Sequence, residues 1–203
     1  YQRTFTLDSL IYNRELVPSS WSVLNWKAQV YVDRIGLDTI GDLRWIGTYS
    51  TYSADLVDLK DNYSITKYSQ MHSDDYETRQ IVVYRAPMLY LRYAEAVNRL
   101  GKPRLAMAVL KHGLKSSSLV NDMIVPPSEK DSILPGYMNF SDDRFTNNTG
   151  VHARGSGNIH LDTTFYVIPR SMQDQDSIIL FVEDLIVNEA ALELAFEGNR
   201  FQI

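Results

Sequence analysis

Carboxylates are the most regularly spaced of the side chains in this sequence that could take part in chemistry. Glu189, Glu193 and Glu197 follow one another at intervals of four residues, and we call them the glutamate stripe. On a helix this spacing places all three on one face. A glycosidase needs two carboxylates that face each other across a sugar, in different environments. Carboxylates along one face do not provide that arrangement, so we do not expect catalysis.

The glutamate stripe does predict ion pairs. Like charges at this spacing repel each other on an isolated helix unless cations lie nearby. We therefore expect arginines to pair with the stripe and to hold its helix against the rest of the fold. The candidates are Arg200, which is close in sequence, and Arg92 or Arg99 of an earlier helix.

Metal and nucleophile chemistry find little support in the sequence. There is no cysteine, and none of the histidines is three or four residues from another, so no zinc site is predicted. The acidic clusters at 55–61 and 74–77 do not match a calcium-binding loop and are interpreted as solvated turns. Ser156 has glycine neighbours but lacks the full Gly-x-Ser-x-Gly pattern, which favours a flexible loop. The histidines are His72, His112, His152 and His160.

Aromatic rings mixed with planar polar groups in the first part of the chain could recognise a carbohydrate. Flat rings cover the C–H faces of sugars, while carboxylates, amides and guanidinium groups bind the hydroxyls. The alternative for each ring is that it fills the core. The predicted ligand-binding residues are Trp21, Trp26, Asp42, Arg44, Trp45, Tyr49, Tyr52, Asn62 and Tyr63.

The elements that position these residues differ along the chain. Residues 1–80 contain all three tryptophans and several turn signals, including Pro18-Ser19-Ser20, and favour short strands and packed loops. Alternating patterns at 29–33 and 63–68 predict two half-buried strands. The loops, and not the helices further on, are expected to carry recognition.

Helical periodicity begins at residue 87 and continues to about 118, interrupted by Gly101 and Pro103. The pattern predicts two antiparallel helices that match the 34-residue tetratricopeptide template. The template places small residues where paired helices approach most closely, here at Ala94, Ala106 and Gly113. A single repeat cannot bury its apolar face, so further helices are expected, and any other helical hairpin remains the alternative.

A long polar stretch separates this hairpin from a last helix. Residues 116–175 are rich in Ser, Asn, Asp, Gly and Pro, which predicts surface loops. The helical pattern returns from about Ser177 to Glu197 and predicts a mostly buried helix closed by Gly198-Asn199 as a left-handed cap.

Composition limits the partners. The chain has 203 residues, 44% of them hydrophobic, and a net charge of −5. The hydrophobic content is sufficient for a core. The charge gives no broad basic field, so no nucleic acid partner is expected. We expect further sequence on both sides of this chain.

Two strings carry a family resemblance. YRAPMLYLRYAEAVNRLG at 84–101 resembles the pattern of the SusD/RagB nutrient-binding lipoproteins, in which an arginine-led apolar helix runs into Tyr-Ala-Glu-Ala, then Asn and Gly. NEAALELAFEGNRF at 188–201 resembles the same family's glutamate-led helix. Weaker similarities lie at 41–44 and 65–68. One departure is Ala190, where the family usually has arginine.

The resemblance implies both a fold and a role. The implied fold is mainly α, with tetratricopeptide-like helical hairpins, long irregular loops and a few short strands. The implied role is non-catalytic binding of an oligosaccharide, a polysaccharide or another nutrient at the bacterial outer membrane, and delivery to a SusC-like TonB-dependent transporter. No cofactor is implied, and membrane attachment would be through a lipid anchor outside this sequence.

On this interpretation residues 1–203 are part of a single SusD-like domain. The loop and short-strand region covers 1–80, the hairpin 81–120, the loops 121–176 and the packing helix 177–203. The alternative function is a tetratricopeptide-type scaffold that binds a protein and no glycan. Such a scaffold predicts a concave helical groove lined by Asn, Lys and Arg.

Overall fold

The computed structural model describes residues 17–27, 30–32, 38–40, 42–51, 63–65, 67, 84–130, 136–156 and 166–197. The chain divides into two compact units, Tyr1–Val82 and Val83–Ile203. The described residues are mainly helical with few strands, which confirms the mainly α prediction. The placement of the whole chain in a single domain stays a prediction.

The first element that the structure describes in this unit is a helix that the sequence did not predict. Helix α1 spans Ser20–Lys27, where short strands and loops were expected. Ser19 starts it, because its Oγ accepts a hydrogen bond from the backbone N–H of Ser22 at 3.2 Å and its carbonyl oxygen accepts one from Val23 at 3.1 Å. The Pro-Ser-Ser turn signal is therefore a helix start.

Two small antiparallel ladders and a 3-10 helix make up the rest of the described part of this unit. Strand β1 (Val30–Val32) pairs with β2 (Asp38–Ile40), and β3 (Tyr49–Thr51) pairs with β4 (Tyr63–Ile65). The strand predictions at 29–33 and 63–68 are confirmed over three residues each. The 3-10 helix Leu43–Gly47 lies between the two ladders in sequence.

The second unit contains the predicted hairpin. Helix α2 spans Ala86–Arg99 and helix α3 spans Pro103–His112, each with a proline in its first turn. The helices pack directly on each other. Ala94 and Ala106 are both 0% exposed, as expected where two helices approach closely.

Glycine is needed at position 113, but not because α2 and α3 approach closely there, as was predicted. It ends α3 with a φ of 78°, a conformation that side chains disfavour. A Cβ there would also lie 2.8 Å from the backbone of Thr149. The glycine therefore serves the end of α3 and its contact with a later loop, and not the packing of α2 on α3.

The stretch predicted to be surface loop contributes to the core. Its described residues form helix α4 (Ser116–Leu119), helix α5 (Val151–Ser156) and 3-10 turns at Pro127–Glu129, Gly136–Met138 and Asp143–Phe145. Isolated apolar side chains from this stretch pack into the hydrophobic cluster formed with the hairpin. They are Leu119, Val125, Met138, Val151 and Tyr166.

The last helix, α6, spans Gln175–Glu193 and packs on α2. Asp174 caps its first turn, since its Oδ2 accepts hydrogen bonds from the N–H of Ser177 at 2.9 Å and from the Ser177 hydroxyl at 2.7 Å. The helix ends four residues before the predicted Glu197, and a turn follows in which Phe196 has a φ of 62°. The predicted cap at 198–199 lies outside the described residues.

Candidate functional site

Two of the predicted sugar-binding rings lie on α1 and differ in exposure. Trp21 is 46% exposed, whereas Trp26 is only 3% exposed. Leu24 is 55% exposed and lies one helical turn after Trp21, so the two side chains share an apolar surface. Trp21 is therefore accessible to solvent, and Trp26 belongs to the interior.

Asp42 and Arg44 form a local clamp at the start of the 3-10 helix. Asp42 Oδ1 accepts hydrogen bonds from the backbone N–H of Arg44 at 2.9 Å and from its Nε at 2.8 Å, and Oδ2 lies 2.5 Å from Nη2. The Asp42 N–H donates to the carbonyl of Trp26 at 2.8 Å. Asp42 is 0% exposed, and its carboxylate bonds with Arg44 while its backbone N–H bonds with Trp26, so the residue ties the 3-10 helix to the end of α1.

The other predicted site residues fall into two groups. Trp45 lies in the 3-10 helix, and Tyr49 and Tyr63 lie on the paired strands β3 and β4. In that ladder Tyr63 is opposite Thr51. The remaining two predicted residues, Tyr52 and Asn62, lie outside the described residues.

In the second unit the glutamate stripe is paired with an arginine that was not predicted. Arg85 precedes α2, and its Nη1 lies 2.5 Å from Glu193 Oε1. Its Nε and Nη2 donate to the two carboxylate oxygens of Glu197 at 3.0 and 2.7 Å. Nη2 also donates to the backbone carbonyl of Glu193, at the end of α6. The prediction that cations accompany the stripe is confirmed for these two glutamates.

Arg99 occupies the opposite end of the same helix pair, so the choice of Arg92 or Arg99 as the partner of the stripe was wrong. Arg99 pairs with Glu183 at 2.6 Å and with Glu95 at 2.8 Å. Because α2 and α6 run antiparallel, the end of α2 meets the first half of α6 and its start meets the last turn. Arg200 lies outside the described residues.

The electrostatics of Arg85 follow from this geometry. Burial acts to lower the pKa of the guanidinium, but the hydrogen bonds and charges of Glu197 and Glu193 outweigh burial and raise that pKa above its ordinary range. The group therefore stays charged at and around neutral pH. Its planar fork binds both oxygens of the Glu197 carboxylate and also reaches the carboxylate and carbonyl of Glu193, and a lysine ammonium cannot reproduce this two-pronged geometry.

Glu189, the first residue of the glutamate stripe, lies in a buried polar cluster with His152 and Tyr166. Glu189 Oε2 accepts a hydrogen bond from the Tyr166 hydroxyl at 2.9 Å and lies 3.1 Å from His152 Nδ1. The rings of His152 and Tyr166 stack at 3.7 Å, nearly parallel. All three side chains are buried. The cluster joins α5, the chain before α6 and α6 itself.

Glu129 is a second buried carboxylate that sequence reasoning missed. Its Oε2 accepts hydrogen bonds from the backbone N–H groups of Arg104 and Leu105 at 2.7 and 2.9 Å. These are unsatisfied donors of the first turn of α3, so the carboxylate caps the helix from a distant turn. Its Oε1 also accepts from the Arg104 side chain at 3.1 Å.

The four glutamates Glu129, Glu189, Glu193 and Glu197 therefore hold secondary-structure elements together. Each carboxylate is bound by an arginine, by a backbone N–H group or by a tyrosine hydroxyl of the same fold. Within the ranges that the structure describes, no three histidine or acidic side chains are grouped so as to hold a metal ion. None of the helices among the same residues has the length and hydropathy to cross a bilayer.

Comparisons of the chain with protein-family models, with curated proteins and with solved structures give no match.

Proposed function

We propose that this chain is part of a non-catalytic glycan- or nutrient-binding protein of the SusD/RagB type. The observation that carries the proposal is the contact between the two strings that resemble this family. Arg85, near the start of the first string, pairs with Glu193 and Glu197 of the second. Residues that are more than a hundred positions apart thus form one structural unit, as expected if both strings belong to one family pattern.

The finer fold assignment belongs to the same proposal. Helices α2 and α3 form a tetratricopeptide-like hairpin, supported by the complete burial of Ala94 and Ala106. Helix α6 covers this hairpin and buries Ile178, Val182 and Ile186 against it. The helical unit is then a scaffold, and recognition is assigned to the loop and short-strand unit that precedes it.

Capture would rest on an exposed aromatic surface with polar groups in the same unit. Trp21 is 46% exposed and offers its ring to the C–H face of a sugar. Arg44 is held by Asp42, and its side chain is 14% exposed. Binding of this kind is weak enough to permit release, which delivery requires.

Delivery is proposed on the resemblance alone. The protein would be held at the outer membrane by a lipid anchor outside this sequence, with a SusC-like TonB-dependent transporter as its partner. It would pass the ligand to this transporter without making or breaking a bond.

A pair of variants tests the assignment of Trp21. Trp21→Ala should weaken binding of a responsive glycan about tenfold or more, the usual effect of removing a central aromatic contact. Leu89→Ala is the matched control, because Leu89 is 52% exposed and lies on α2. Isothermal titration calorimetry with the same glycan measures both. Equal affinities for the two variants and the parent protein would remove Trp21 from the site.

The alternative function is a tetratricopeptide-type protein-interaction scaffold without glycan binding. It predicts that no glycan binds and that an acidic or apolar peptide does. A hydrolase is the other outcome, and it predicts release of reducing sugar in the same titration.

A further inference from the structure

Helices α2 and α6 each have a side that faces away from the core and carries exposed apolar residues. Leu100, at the end of α2, is 69% exposed, and Leu180 on α6 is 67% exposed. Exposed apolar residues also recur at helical spacing on the same two sides, so they do not stand singly. We call these sides the outer faces. They consist of Leu89, Arg92, Ala96, Arg99 and Leu100 on α2, and of Asp176, Leu180, Asp184 and Val187 on α6.

The two outer faces adjoin each other. Arg99 Nη2 lies 2.6 Å from Glu183 Oε1, so this ion pair crosses the seam between α2 and α6. The Arg99 side chain is 62% exposed, which shows that the seam lies at the surface. Leu180 and Val187 are three and four residues from Glu183 and therefore lie on its side of α6. The outer faces thus form one surface that is two helices wide.

The exposed charged residues of the two helices have opposite signs. On α2 they are Arg92 and Arg99, whereas on α6 they are Asp176 and Asp184. Arg92 and Asp184 have no ion-pair partner among the residues that the structure describes. A partner that covers this surface should therefore present acidic groups to α2 and basic groups to α6.

A second copy of the chain meets both requirements at once. When a two-fold axis runs parallel to the helices, α2 of each copy packs against α6 of the other. All neighbouring helices are then antiparallel, as in an up-down four-helix bundle. The contact is isologous, so every favourable pairing between α2 and α6 occurs twice.

The register of such a dimer follows from the register within one copy, because rotation about this axis leaves the height along the helices unchanged. Within a copy Asn98 Nδ2 donates to the Ile179 carbonyl at 3.0 Å and to Glu183 Oε2 at 3.1 Å. Residue 98 of α2 is therefore level with about residue 181 of α6. Counted from there along antiparallel helices, Leu100 is nearly level with Leu180 of the partner subunit.

The same count brings the unpaired charges together. Arg92 is level with about Val187 of the partner subunit, and Asp184 of the partner subunit is three residues away. Three residues are about 4.5 Å along the axis, which an arginine side chain spans. Leu89 is level with the turn between Val187 and Ala191 of the partner subunit, where the small side chain of alanine leaves room for it.

We propose that the outer faces of α2 and α6 join two copies of this chain into a symmetric dimer. Leu100 and Leu180 of opposite copies form its apolar contact, and Arg92 pairs with Asp184 of the partner subunit. The apolar contribution is small, so the dissociation constant should be about 10–100 μM, and at about 1 μM the chain is a monomer. Unfolding measured at the lower concentration then reports on the monomer. The dimer does not depend on glycan binding.

Sedimentation velocity of the whole protein from about 1 to 300 μM tests the association and should show a shift from monomer to dimer. Leu180→Asp puts a carboxylate into the apolar contact and should raise the dissociation constant more than about tenfold. Met123→Asp is the matched control. It adds the same charge at a position that is 93% exposed and outside both outer faces, and should leave the dissociation constant unchanged.

Exchange of the charges tests which helices meet. Arg92→Asp places two carboxylates opposite each other, and Asp184→Arg places two arginines there. Each should raise the dissociation constant about tenfold, since the repulsion occurs at both symmetric contacts. An equal mixture of the two variants pairs opposite charges at both contacts and should associate about as tightly as the parent protein. Circular dichroism checks that each exposed substitution leaves the fold intact.

Four results would overturn the proposal. A monomer at every concentration would remove the dimer. Species larger than a dimer would contradict a closed two-fold contact. A dimer that Leu180→Asp does not weaken would have its contact elsewhere. A mixture of the two charge variants that associates no better than either variant alone would show that α2 does not face α6 of the partner subunit.

Discussion

Removal of Arg85 is the perturbation whose effect the structure defines best. Its guanidinium makes three side-chain contacts of 2.5, 2.7 and 3.0 Å to Glu193 and Glu197, besides its bond to the Glu193 carbonyl. The Arg85 side chain is 29% exposed, and the two glutamates are 11% and 9% exposed. Arg85→Gln therefore leaves two nearly buried carboxylates without this cation.

The loss of unfolding free energy expected for Arg85→Gln lies between the values known for exposed and for buried ion pairs. Exposed ion pairs contribute about 0–1 kcal/mol, whereas removing one partner of a buried pair costs about 3–5 kcal/mol. Because Arg85 is partly exposed, we expect Arg85→Gln to lower the free energy of unfolding by about 2–4 kcal/mol. For a chain of this size the melting temperature would fall by roughly 5–15 °C. Arg85→Lys keeps the charge but not the fork, and should lose about half as much.

Urea unfolding followed by circular dichroism at 222 nm measures both variants. Arg92→Gln, an exposed position on the same helix, is the control and should change the free energy of unfolding by less than about 0.5 kcal/mol. The reasoning is refuted if Arg85→Gln has no larger effect than this control, because the pairing would then contribute nothing to the packing of α6 on α2.

Three further predictions concern other contacts. Tyr166→Phe removes the hydroxyl that donates to buried Glu189 and should cost about 1–3 kcal/mol in urea unfolding; no loss would contradict a structural role for the cluster. Gly150→Ala should unfold the second unit or lower its melting temperature severely, since a Cβ there would overlap the backbone of α3, and near-parent stability would show that α3 can move away. Hydrogen bonds from Arg144 lower the pKa of Asp142 to about 2, so its small stabilising effect is present above the ordinary carboxyl pKa of about 3.9 and is lost as pH falls through 2. Carbon-detected NMR titration should show that Arg144→Gln returns this pKa toward its ordinary value.

The sequence predicted the elements with regular periodicity. Helices α2 and α3 have apolar residues at helical spacing and proline and glycine at their boundaries, and the bounds of α2 and the start of α3 were located to within a few residues. The predicted pattern continued to about 118, whereas α3 ends at His112 and the short helix α4 follows. Helix α1 was missed because Trp21, Val23, Leu24 and Trp26 point to different sides of an eight-residue helix, so no amphipathic pattern is visible.

Long-range partners were harder to predict because they depend on how helices pack. The glutamate stripe required a cation, but spacing alone could not choose among the arginines on and before α2. Because α2 packs antiparallel on α6, Arg85 is the arginine that lies next to Glu193. The cluster of His152, Tyr166 and Glu189 brings together residues far apart in sequence, and only the tertiary fold makes them neighbours.

The predicted sugar-binding set was chosen by residue type, and exposure separates its described members. Trp21 is exposed, whereas Trp26 and Asp42 are buried. Sequence could not make this distinction, because aromatic residues are common both in cores and at binding surfaces.

We propose above all that the protein binds a glycan and does not cleave it. Affinity-gel electrophoresis and calorimetry against a panel of neutral and acidic polysaccharides, with reducing-sugar release followed in the same tubes, test it most directly. We predict retardation by at least one polysaccharide without sugar release. Failure to bind any member of the panel, or release of reducing sugar, would contradict the account.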